Sequence, residues 1–260
     1  KGEEPTEEQP RKAAGYFAKG LELGKLPAAL DVRLRLSRGV SLHLAGRSAE
    51  RQEALQLLEK LHKEDLAAHP AYRQEAVFHL AGCYAALSRT WEARSLYYTL
   101  LRDGAESEYP LKAGIEILKL YGFDRRVATL GLYNQGAAVV ELMTKARPKH
   151  ALTRKARAWQ AEALINFNMV PDAQRVLESF LADYPGEEES PDMTWTLARI
   201  LRDAGRPLEA LAVYRRYLAA YPASKHWNAV QQGIVDIAFQ AGQDLLQQKK
   251  FAAAADAFAD

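Results

Sequence analysis

The side chains best suited to nucleophilic or metal chemistry in this sequence are six histidines and one cysteine. No pair among His43, His62, His69, His79, His150 and His226 forms the H-E-x-x-H arrangement, which sets two imidazoles and a general base on one helix face. The best-spaced set is HKEDLAAH, where His62, Asp65 and His69 fall three and then four residues apart. On a helix those three align, and such a donor set can hold a divalent ion while leaving positions for water. The same residue types also arise by chance at a solvated helix end beside Pro70, and that is the preferred reading, so no metal is expected. Cys83 directly precedes Tyr84 in an apolar helical run, the setting of a packing residue rather than a nucleophile. The sequence has no G-x-S-x-G elbow, phosphate-cradling glycine loop or dinucleotide fingerprint. Its carboxylates offer no privileged acid–base pair. The expectation is a protein that is not an enzyme and uses no cofactor.

Composition narrows the classes further. Of 260 residues 48% are hydrophobic and 26% charged, the make-up of an ordinary globular chain. A net charge of +2 gives no case for nucleic acid, and a single cysteine rules out an intrachain disulfide framework. No apolar run reaches the length of a membrane span, so no membrane insertion is expected, although surface association is compatible. Residues 1–10, KGEEPTEEQP, hold four glutamates and two prolines without a large apolar side chain, and are expected to be an acidic linker or tail. The chain opens on Lys1-Gly2 and stops inside KKFAAAADAFAD, which reads as a fragment of a longer protein.

From Arg11 onward apolar residues recur three and four apart. The expected helices are 11–23, 27–45, 49–67, 71–87, 90–103, 109–121, 125–146, 149–168, 172–184, 191–204, 207–220, 224–248 and 251 onward. Ser190 with Pro191 and Asp192, and later Ser224, are expected to cap the helices that follow them. GRPLEALAVYRRYLAAYP (205–222) echoes NMVPDAQRVLESFLADYP (168–185) at a distance of 37 residues. Ala198, Ala210, Tyr214 and Pro222 repeat the spacing of Ala161, Ala173, Leu177 and Pro185. Ala81, Ala93 and Tyr97 keep it without the proline, and Gly242, Ala254 and Phe258 continue it 44 residues on. Small residues at fixed places let paired helices approach, the larger residue fills the groove beside them, and proline ends the second helix.

This pattern resembles the tetratricopeptide repeat family, best in TWTLARILRDAGRPLEALAVYRRYLAAYP (194–222) and well in AVFHLAGCYAALSRTWEARSLYYTLL (76–101). The well-matched repeats are 71–104, 154–185, 191–222 and a truncated 235–260, and 109–146 diverges. YPASKHWNAVQQGIVDIAFQAGQDLLQQKKFAAAADAF resembles repeats of bacterial envelope proteins, of the outer-membrane assembly lipoprotein and Tol–Pal-associated kind. That implies a periplasmic or envelope setting. The family implies an all-α, right-handed solenoid of twelve to thirteen helices over 11–260, in which first helices line a groove for a partner segment. The groove slots carried over are Phe78, Gly82, Ala85, Ala158, Glu162, Ile165, Trp195, Arg199 and Arg202. The lysines and asparagines of the family's carboxylate clamp are missing from them, which disfavours capture of a free chain terminus.

A second candidate is TKARPKHALTRKAR, where Lys145, Arg147, Lys149, Arg154, Lys155 and Arg157 follow one another without an acid. It is either a patch for an acidic partner, phosphate or anionic lipid, or a solvated turn at a helix C-terminus. The sequence reads as a non-enzymatic scaffold for a protein partner, a peptide segment or subunit, within a larger bacterial assembly. The alternatives are a structural element of an envelope complex that oligomerises through its solenoid ends, and an accessory domain of an enzyme whose catalytic part lies elsewhere.

Overall fold

A computed structural model of the chain describes residues 8–103 and 106–259, with side chains as far as residue 255. Among these residues every regular element is helical. The chain divides into two compact units. Unit 1 takes 1–122 and 141–146, and unit 2 takes 123–140 and 147–260.

Unit 1 contains α1 (Glu8–Glu22), α2 (Ala28–Ala45), α3 (Ser48–Glu64), a 3-10 turn (Pro70–Tyr72), α4 (Arg73–Ala86), α5 (Thr90–Arg102) and α6 (Tyr109–Leu120). The last residues of α7 (Leu130–Ala146) also belong to it. Each helix from α1 to α6 packs on the next, and α4 also touches both α2 and α6. Short connections between packed neighbours make them antiparallel hairpins. The expected linker is partly helix. Residues 1–7 lie outside the described residues, but Glu8, Gln9 and Pro10 form the first turn of α1, where proline loses no hydrogen bond. Glu8 also pairs with Lys12 at 2.6 Å.

Unit 2 continues with α8 (Ala151–Asn166), α9 (Val170–Asp183), α10 (Ser190–Asp203), α11 (Pro207–Ala220), α12 (Trp227–Gln247) and α13 (Phe251–Ala259). Consecutive helices from α8 to α13 pack together. The repeat positions do what their sizes require. Ala161, Ala173, Ala198 and Ala210 are at most 1% exposed, and Leu177 and Tyr214 fill the space beside them. Tyr214 reaches across to α12, where a Cβ on Gly233 would come within 3.0 Å of its ring. Tyr184 and Tyr221 end α9 and α11 with nearly identical backbone angles, φ −132° with ψ 57° and 59°. Both residues have left the helical region, which the following proline disfavours for the residue before it.

Several boundaries differ from expectation. Residues 125–129 are not helical, and α7 starts only after Thr129, whose Oγ1 accepts from Leu132 N–H at 3.2 Å. This longer connection stretches the repeat spacing across 109–146. The small-residue role passes there to Gly114, whose Cβ would lie 2.6 Å from Met143 Sδ. Ser190 does not cap α10; it is already in the helix and its hydroxyl donates to the Tyr184 carbonyl at 2.6 Å. Ser224 stands a turn ahead of α12, bonded to the Tyr217 hydroxyl, and His226 occupies the cap position.

Candidate functional site

Two open clefts lie on the first-helix face of unit 2. The larger, about 920 Å³, runs between α8, the start of α10 and the 220–225 connection. The smaller, about 310 Å³, lies further along α8 and α10 and is bordered by His226. Helical periodicity puts Ala158, Glu162 and Ile165 on one face of α8, and Asp192, Trp195 and Arg199 on one face of α10. Glu162 and Asp192 border both clefts.

The polar groups of this face are unequally satisfied. Asp192 accepts from Lys225 Nζ at 2.8 Å and lies 2.9 Å from His226 Nε2. Trp195 stacks flat on the His226 ring, with centroids 4.3 Å apart and planes 4° apart. The Arg199 guanidinium carbon sits 5.1 Å from the same indole, and its Nε is buried without an acceptor among the described residues. The exposed Glu162 carboxylate has no side-chain hydrogen bond or ion pair among the described residues. Desolvation by the surrounding protein, and then the negative charge of Asp192, push its carboxyl above the usual carboxylate range.

The structure therefore brings five of the nine expected groove residues onto these clefts: Ala158, Glu162, Ile165, Trp195 and Arg199. Arg202 lies on the exposed last turn of α10 and binds its neighbour Asp203 at 3.0 Å. The other three belong to unit 1, and their slots are partly filled from within. Phe78 packs against His79, Tyr97 and Tyr109, and the space over Gly82 is taken by His43, which a Cβ would approach to 2.7 Å. Ala85 is half-buried. Asp192, Trp159 and His226 were not among the expected groove residues, because His226 stands at a helix cap, Asp192 lies in the first turn of α10 ahead of its slots, and Trp159 falls between slots on α8.

The basic run is largely consumed by the fold. Arg157 is buried, donates to Asp183 at 2.6 Å and to Ser179 at 2.8 Å, and lies over the Tyr184 ring. Arg154 pairs with Glu187 and Glu189 at 3.2 and 3.1 Å. These two arginines hold α8 to the end of α9 and to the 184–189 connection, so they are not part of an open cationic patch. Lys155 lies 5.1 Å from the Trp159 ring centroid, Lys149 is exposed and Arg147 half-buried. Lys145, in unit 1, pairs with Glu141 at 2.6 Å.

The metal alternative fares worse. Asp65 is bound by Arg35 at 2.8 Å, His69 stacks on Tyr72, and His62 borders a 210 Å³ hollow beside the exposed Trp91. No group of three ligating side chains comes together among the described residues. Cys83 is buried 3.4 Å from His43 Nδ1, and burial pushes its thiol up to about 12, which removes the thiolate that a nucleophile needs.

No protein-family model matches the chain, and no curated protein matches it in sequence. Solved structures do. The chain is similar in fold to tetratricopeptide-repeat structures. MamA of AMB-1 is 18% identical over 77% of this chain and 97% of its own, with a TM-score of 0.47. TTC0263, a thermophilic TPR protein of Thermus thermophilus, is 20% identical over 78% and 98%, with a TM-score of 0.39. The nearly identical TPR-like repeats of a Podosopora anserina protein are 19% identical over 78% and 100%, at 0.49. At these values function has to be argued from the chain's own clefts.

Proposed function

We propose that the chain is a non-enzymatic binding scaffold, and that unit 2 receives a segment of a protein partner along the face formed by α8, α10 and the start of α12. The observation carrying this reading is the pair of adjoining clefts, walled by Trp159, Trp195, Ile165 and Met193 and edged by Glu162, Asp192 and Arg199. Apolar walls with a few placed charges are the make-up of a recognition site. A rigid hairpin array presents such a face at little conformational cost. A bacterial envelope setting rests on the resemblance of the Tyr221–Phe258 stretch alone.

The test is capture from a cell extract by the immobilised chain. Arg199→Ala and Ile165→Ser should each lose the same bound protein, while Arg175→Ala, on the second helix of the hairpin, retains it. Equal capture by all three, with unchanged helicity, would remove the groove from consideration.

A second reading is assembly through the α12–α13 end. Val235, Phe239 and Leu246 recur at four and seven residues along α12 and are 43–58% exposed, with Phe251 at 66%. Such a stripe favours contact with another subunit or another repeat.

A further inference from the structure

Glu162 borders both clefts without an ion pair among the described residues. Its neighbours already have partners: Asp192 holds Lys225 and contacts His226, and Glu189 holds Arg154. Arg199 stands at the smaller cleft over Trp195. Around the larger cleft this leaves Glu162 and Glu188 without an ion pair among the described residues, set against Lys155 alone. The cleft walls strip part of the water from Glu162 although its side chain stays exposed, and Asp192 adds a like charge that further disfavours its ionised form. A carboxylate kept in that setting gains from a cation supplied from outside. The walls show which kind of cation fits. Trp159, one turn before Glu162 on the same helix, already takes the Lys155 ammonium near its face at 5.1 Å, and Ala158, Pro191 and Met193 add apolar surface. A bare metal ion would find too few ligands, whereas a charged head on an aliphatic stem satisfies both the carboxylate and the walls.

We propose that the larger cleft of unit 2 seats a lysine or arginine side chain of an extended partner segment, with Glu162 as its counter-ion and Trp159 as its wall. This rests on the groove reading above and adds the partner's chemistry. Arg199, in the adjoining cleft, sets a limit: it repels a second basic residue placed toward α12 and favours a neutral or acidic one.

Three acetylated and amidated alanine pentapeptides provide the test, differing only in a central arginine, leucine or glutamate. They are titrated into the whole chain labelled with 15N-tryptophan, following the indole N–H signals of Trp159 and Trp195, assigned by Trp→Phe variants. The arginine peptide should shift the Trp159 signal saturably and bind about three- to five-fold more tightly than the leucine peptide, as one partly screened ion pair predicts. Glu162→Gln should reduce arginine binding to the leucine level without lowering the melting temperature, since it relieves repulsion from Asp192. Equal binding of the leucine or glutamate peptide, or full arginine binding by Glu162→Gln, overturns the cation seat and leaves the groove reading standing. If no peptide moves either indole signal, both readings fall.

Discussion

Trp195 and His226 lie face to face, 4.3 Å between ring centroids, so an aromatic wall of the cleft is also a tie between α10 and the start of α12. The arrangement is held from below by Asp192, which reaches both His226 and Lys225. The half-buried Trp195, proposed above as a cleft wall, is therefore also a packing residue. Removing it does two things at once.

Trp195→Ala should accordingly lower stability by about 1–3 kcal/mol, from the lost stacking and lost apolar contact. Urea unfolding of the whole chain, followed by far-ultraviolet circular dichroism, measures this. His226→Ala should lose part of the same energy, and the double variant less than the sum. Strict additivity would mean that the stack contributes nothing.

Much of the hairpin order was readable because alanine at two fixed places and tyrosine before proline each have one physical job. Another repeat mark is nearly invisible in the letters. Ser88, Asn168, Gly205 and Lys249 each follow the small residue of their hairpin by seven positions, and all four adopt left-handed backbone, with φ of 62°, 57°, 75° and 58°. In each case the next residue's N–H bonds back five positions, from Arg89 to Tyr84, Met169 to Leu164, Arg206 to Leu201 and Lys250 to Leu245, at 2.8–2.9 Å. This is the Schellman ending of a first helix, imposed by the need to turn into the second. Gly205, and more weakly Asn168, advertise it by residue type; Ser88 and Lys249 do not, because backbone geometry is shared where side chains are not. The site divides the same way. Glu162, Ile165, Trp195 and Arg199 follow from helical register, while the role of His226 depends on where the 221–226 connection places it, which no periodicity specifies.

The four equivalent turns predict an asymmetry in the effect of glycine. Ser88→Gly should raise stability by up to about 1 kcal/mol, because serine is strained in the left-handed region and glycine is not. Asn168→Gly should gain less, since asparagine tolerates that conformation. Gly205→Ala should lose about 1 kcal/mol although a Cβ there meets nothing within 4 Å, so any loss is conformational. Thermal melts of the three variants check the order. A destabilising Ser88→Gly would contradict the Schellman assignment.

Two histidines make unit 1 sensitive to acid. His43 on α2 and His79 on α4 meet edge to face at 5.6 Å. Burial lowers both to about 4; His43 is lowered further by His79 and Arg51, and His79 by Lys112. Cys83 and the Gly82 backbone also lie against His43, and no carboxylate enters as a cause of either shift. Because the unfolded chain protonates near 6.5 and the folded one only near 4, the unfolded state binds more protons between those values. The stability held by the neutral imidazoles is complete above pH 6.5 and is lost as the pH falls toward 4. The slope is at most about 1.4 kcal/mol per pH unit for each histidine. Urea titrations at about pH 7.5, 6.0 and 5.0 should show unfolding midpoints falling across this range. His79→Gln should fall less steeply than the unchanged protein, because one of the two linked protons is gone. Parallel pH profiles for the two proteins would show that His79 binds its proton equally in the folded and the unfolded chain, and the burial of its imidazole would then not be linked to stability.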